Sequence, residues 1–169
     1  MELEIRKAVE ADLDSIMAIF EAAKLFMRKC GNMTQWADGY PQRELMEKEI
    51  AAGHCYSCCT RDGQVVATVC LLEGPDPTYA EIYDGNWIND DDYCVIHRLA
   101  SDGSVKGAGR FCMEWCIGQC GSLRVDTHAD NLPMQRLAES CGFVRCGRIR
   151  LRDGAWRVAY QRVSDSVKL

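Results

Sequence analysis

The sequence predicts a single α/β domain built on a mixed β-sheet, and three observations carry that prediction. Segments with strand alternation and segments with helical spacing follow one another as β-α-α-β-β-β-α-β-α-β-β. Strands and helices alternate in the second half, which implies parallel neighbours joined by crossover helices. Hairpins at the two ends imply antiparallel neighbours, so the sheet carries both kinds. The 169 residues match the size of one domain, and no Pro-, Gly- or Ser-rich stretch divides them, which gives residues 1–163 as the domain and 164–169 as a C-terminal tail.

Each element has its own signal. Leu3 to Lys7 alternates as a short strand. Asp12 is placed to cap a helix whose apolar residues Leu13, Ile16, Met17, Phe20, Ala23 and Met27 recur at helical spacing. "GNMTQWADGYP" (31–41) has loop chemistry, Pro41 suits the start of a second helix running through Ile50, and Gly53 ends it. Strands Cys55 to Thr60 and Val65 to Leu72 flank "RDGQ", whose Asp62-Gly63 favours a tight turn. A polar loop with Pro75 and Pro77 leads to a strand "YCVIHRLA" (93–100). A helix from Gly107 to Ile117 follows, then a strand Leu123 to Thr127, a helix from Leu132 to Cys141, and strands Phe143 to Arg150 and Trp156 to Arg162.

Composition excludes some functions. The chain carries 25 acidic and 20 basic residues, net −5, and its Lys and Arg are scattered, so no footprint for nucleic acid is visible and a small cationic partner fits better. "MELEIRKAVEADLD" has neither a basic leader nor a signal-length apolar run, and nowhere do about 18 apolar residues occur in succession. The expectation is a cytoplasmic protein with no membrane partner; a homodimer is left open. Eleven cysteines, an odd number in a chain too large to need disulfide staples, read mainly as buried thiols.

"GSVKGAGRFCMEWCIGQCG" (103–121) opens like a phosphate-cradling loop. After Gly107 and Gly109, Cys112 stands where a dinucleotide fingerprint needs its third glycine, and the Gly-Lys-Ser/Thr ending of a mononucleotide loop is absent. What remains is a strand, a loop of small residues and a helix start, where free amides and the positive helix end bind anions; Lys106 and Arg110 add charge at the rim. Ala108, Phe111, Cys112, Trp115 and Cys116 share one helix stripe, a packing pattern. The Cys-x-x-Cys of "HCYSCC" (54–59) has no second pair at matching spacing, so no metal site is expected.

"YCVIHRLASDGSVKGAG" together with "LRVDTHADNLPMQRLAESCGFVRCGRI" (123–149) resembles the GNAT superfamily of N-acetyltransferases, and "TQWADGYP" with the following helix is similar to the acceptor side of many bacterial members. The resemblance covers nearly the whole chain. It implies the acyl-CoA N-acyltransferase fold, a mixed, centrally splayed sheet flanked by helices, with acetyl-CoA as co-substrate and an amine, small molecule or peptide, as acceptor. Backbone groups of Leu99, Ala100 and Ser101 would pair with the pantetheine arm, Ser104, Val105, Lys106, Gly107, Ala108, Gly109 and Arg110 would hold the pyrophosphate, and Asn131 and Met134 would meet the cofactor where two parallel strands part. The family's loop, Gln/Arg-x-x-Gly-x-Gly/Ala, starts here at Ser104 or, in a second register, at Lys106, which puts Phe111 where Gly or Ala belongs. Ala138 stands where many members have a Tyr that protonates the departing thiolate; a thiol of pKa about 8.5 can leave without that acid.

An alkylammonium of pKa about 10.4 must lose a proton before it attacks a thioester. The candidates for the base are His97, beside the cofactor strand, and His128, which Asp126 can orient from the same strand face. Glu81 and Asp84 are carboxylate alternatives acting through water. Trp36, Tyr40 and Trp87 lie in loops and can wall an acceptor pocket by cation–π attraction, with Glu81 beside them. Direct transfer in a ternary complex is expected, because none of the eleven thiols has an evident His partner.

Overall fold

A computed structural model describes residues 2–164, so the expected tail lies outside the described residues except for Ser164. The elements are β1 (Leu3–Lys7), α1 (Leu13–Lys29), α2 (Arg43–Ala51), β2 (Cys55–Thr60), β3 (Val65–Glu73), β4 (Cys94–Ser101), α3 (Ala108–Gln119), β5 (Ser122–Thr127), α4 (Leu132–Ser140), β6 (Val144–Arg150) and β7 (Trp156–Val163). The seven strands form one mixed sheet in the order β1-β2-β3-β4-β5-β7-β6. The expected fold class is the one observed.

Apolar periodicity decides which side of the sheet each helix covers. Ile16, Ile19, Phe20 and Ala23 of α1 are buried with Met46 of α2 and with Cys55, Cys70 and Ala100 of the sheet. On the opposite face Ala108, Cys112, Met113 and Cys116 of α3 join Val66, Ile96, Leu123 and Val125, and Ala138 of α4 belongs to the same cluster. A third cluster, Tyr79, Val95, Ile149 and Ala159, lies under the segment between β3 and β4. The stripe on α3 is therefore core. Seven of the eleven cysteines are buried and all eleven are free thiols. Burial pushes the Cys116 thiol up to about 12, so it is inert as a nucleophile at neutral pH.

Two local readings are corrected. Asp12 does not cap α1 with its side chain. A 3-10 turn, Glu10–Asp12, precedes the helix, and the carboxylate accepts two hydrogen bonds from the Arg6 guanidinium (2.6 and 2.9 Å), one from the Val9 amide and one from Ser57 Oγ. The second correction concerns strand neighbours. β4 and β5 are parallel neighbours joined by α3, but β5 and β6 are not adjacent, because β7 returns between them and pairs antiparallel with both. β7 buries Val158, Ala159, Tyr160 and Gln161 in succession, whereas β6 exposes Val144, Arg145 and Arg150. A continuous buried run belongs inside a sheet, and an Arg-bearing strand belongs at its edge.

Candidate active site

The site begins where the sheet opens. β4 and β5 are in register only at Cys94–Leu123 and Val95–Arg124. Beyond those pairs β4 continues to Ser101 hydrogen-bonded to β3 alone, while β5 continues beside β7. A shift in the β3–β4 register between Thr68 and Cys70, with Arg98 at φ 54°, marks a bulge that turns β4 away. A left-handed arginine costs about 1–3 kcal/mol, and its side chain is held: the guanidinium donates to Tyr40 Oη (3.0 Å) and lies 3.2 Å from Glu49 Oε2. The backbone of 99–101 thereby faces the gap with an unpaired edge.

A cleft of about 730 Å³ occupies the gap, and Leu99, Ala100, Ser101, Gly109, Asn131 and Met134 all line it. At its rim Gly107 has φ 84° and a left-handed conformation at the start of α3, a position where a side chain would be strained. The amides of Lys106, Gly107, Gly109 and Arg110 make no hydrogen bond among the described residues, so they form a concavity of donors suited to an anion. Ser104 is tied to Asp102 Oδ1 through both its amide and its hydroxyl. Lys106 is exposed, and Arg110 leans toward Ser140 and Glu114. Asn131 caps α4 by accepting the Met134 amide (3.2 Å) and donates to Gln35 Oε1 (3.0 Å). Ala138 is packed in the core.

The far wall carries the titratable groups. His97 Nε2 is 2.9 Å from Asp76 Oδ2, and the His97 hydrogen bond holds the Asp76 carboxyl down at about 2. Asp76 thus stays ionised and accepts the Nε2 proton, leaving His97 Nδ1 without a partner among the described residues. Asp126 takes the Tyr79 phenol at 2.6 Å rather than orienting His128. Burial raises the Asp126 carboxyl, and the charges of His97 and Arg157 act against that rise. Burial also pushes Tyr79 well above the usual phenol range. Both ring nitrogens of His128 are engaged: Nδ1 accepts the Asp130 amide and Nε2 therefore donates to Thr34 Oγ1, each at 3.0 Å. Burial lowers its pKa, so His128 is neutral near pH 7.

The structure brings Trp36, Tyr40, His97 and residues 99–101 of β4 to one cleft. Trp36 stands edge-on to Phe20 with centroids 5.5 Å apart. Trp87 lies elsewhere: its indole donates to the Tyr79 carbonyl, and it sandwiches the Arg124 guanidinium with Tyr93. Glu81 is exposed and bonds Tyr83, and Asp84 is exposed and pairs with Arg148. Asp76, Thr78, Arg98 and Arg157 line the cleft unforeseen. Only Asp76 had a signal, an acid between two prolines that caps the turn Pro77–Tyr79 through the Thr78 amide. Among the described residues no group of three or more His, Cys, Asp or Glu is arranged to hold a metal, and no helix is long and apolar enough to cross a membrane.

This geometry, a sheet parted between two parallel strands with a donor-lined helix start beside the opening, belongs to an acyltransferase. The chain belongs to the GNAT acetyltransferase family, whose model matches residues 16–143. A GNAT-family acetyltransferase of Streptococcus agalactiae is 30% identical, superimposes with a TM-score of 0.87 and is matched over 96% of both chains. A GNAT-family acetyltransferase of Listeria monocytogenes shares the fold at 17% identity, with a TM-score of 0.71 over 96% of this chain and 95% of that one. The ribosomal-protein-alanine N-acetyltransferase of Brucella melitensis does so at 20% identity, with a TM-score of 0.62 over 95% of this chain and 99% of that one. No curated protein sequence matches.

Proposed function

We propose that this enzyme moves the acetyl group of acetyl-CoA to a primary amine by direct attack while both are bound. The observation that carries the reading is the free edge of β4 from Leu99 to Ser101, opening into the same cleft as the His97–Asp76 pair. The residues fit the co-substrate: an unpaired strand edge answers the two amides of a pantetheine arm, and the unbonded amides of Lys106, Gly107, Gly109 and Arg110 answer a diphosphate. When bound, acetyl-CoA supplies the thioester carbonyl and the thiolate leaving group.

The chain's own residues do the rest. Asp76, ionised at any working pH, fixes the His97 ring through Nε2, so Nδ1 faces the amine and can take the proton it must lose. In this reading a backbone amide near Leu99 donates to the carbonyl oxygen, where a fixed dipole stabilises growing negative charge. Trp36 and Tyr40 wall the acceptor end. The buried Ala138 offers no acid, so the thiolate departs as such or takes a proton from water.

Calorimetric titration with acetyl-CoA, followed by mass-spectrometric screening of primary amines, tests the reading. Saturable binding with an acetylated product is the result expected. Binding of CoA esters with no amine acetylated would leave an acyl-CoA-binding module, and no binding at all would end the case.

A further inference from the structure

The cleft holds three arginines, and they are not equally occupied. Arg98 is committed to Tyr40 and Glu49. Arg152 and Arg157, on the β6–β7 hairpin, line the same cleft and form no ion pair among the described residues. Arg157 makes one hydrogen bond, to the neighbouring Trp156 carbonyl, and Arg152 is exposed in the turn. The carboxylates of the cleft do not answer them. Asp76 is held by His97 and Thr78, Asp126 by Tyr79, and Asp153 by the Ala155 amide of its own turn, while Asp38, the fourth carboxylate of the cleft, forms no ion pair with either arginine.

From this arrangement we infer that the acceptor is an amine bearing a carboxylate, its nitrogen directed to His97 and its carboxylate held by Arg157 and Arg152. The inference rests on the acetyl-transfer reading and narrows its substrate. In strand order β5 lies between β4 and β7, so His97 on β4 and Arg157 on β7 stand on either side of Asp126 on β5, and all three line the cleft. A guanidinium without a carboxylate of its own meets one in two parallel hydrogen bonds, a geometry that an ammonium cannot supply. An amine lacking the anionic group would leave Arg152 and Arg157 without an ion-pair partner. The net charge of −5 does not oppose this, because a local field at short range outweighs distant screened charge.

The test is acetyl transfer to matched acceptors: α-amino and ω-amino acids, each against the amine that lacks only the carboxylate. Wild-type protein should favour the carboxylated member of at least one pair by about tenfold or more in kcat/KM. Arg157→Gln and Arg152→Gln should each shrink that ratio, Arg157→Lys should retain part of it, and Arg145→Gln on the outer edge of β6 should leave it unchanged. Equal or better use of the bare amine in every pair, or a ratio insensitive to both cleft arginines, would overturn the inference while acetyl transfer stands. Should Arg157→Gln fail to fold, the exposed Arg152→Gln decides. No turnover of either member, with acetyl-CoA bound in the same preparation, is instead the failure of the acetyl-transfer reading, and the inference falls with it.

Discussion

At the scale of single residues the account turns on which histidine is free to take a proton. His128 has both nitrogens engaged, whereas His97 has one nitrogen on Asp76. His97→Gln should lower kcat by about 10²- to 10⁴-fold, the usual worth of a general base, with acetyl-CoA affinity unchanged by calorimetry. Asp76→Asn should lower kcat in the same direction by less, because the ring remains but loses its orienting charge. Equal kcat in wild type and His97→Gln would assign proton removal to water. Sequence reasoning reached His97 from its place on the cofactor strand, but not Asp76, which lies 21 residues away. A contact made by a loop folding back leaves no local periodicity to read.

Among the elements, the Arg6–Asp12 pair ties β1 to the turn before α1, and Ser57 extends it to β2. The hydrogen bond from Arg6 holds the Asp12 carboxyl down at about 2 from an ordinary 3.8. A depressed acid contributes stability above its unfolded pKa and loses it as pH falls through the folded one. Asp12→Asn should therefore cost about 1–2 kcal/mol near neutrality, the figure reduced because solvent screens the half-exposed Arg6. The gap from wild type, measured by urea unfolding, should close between about pH 4 and pH 2; a gap independent of pH would show that packing, not charge, ties these elements together. Element type and order were legible because α1 and α3 carry helical stripes and the strands alternate. The place of β7 was not, since strand order depends on which strand the core buries more deeply, and that is settled by long-range packing.

For the whole molecule, one sheet bent open between β4 and β5 sets a cleft into a hydrophobic core: the α1 and α3 sides stay packed while the edge between them is left unpaired. The parting of the strands and the cofactor segment came from family resemblance, because nothing in the periodicity of 93–101 distinguishes a strand with two partners from one that loses a partner midway. Arg98 with its positive φ is the local cause, and a non-glycine residue gives no sequence warning of that conformation. The central claim is that backbone amides of 99–101 and 106–110 clasp the CoA arm. Amide hydrogen exchange with and without acetyl-CoA tests it most directly. Strong protection confined to those two segments and the start of α4 is the result this account predicts, and exchange there unchanged at saturating acetyl-CoA would contradict it.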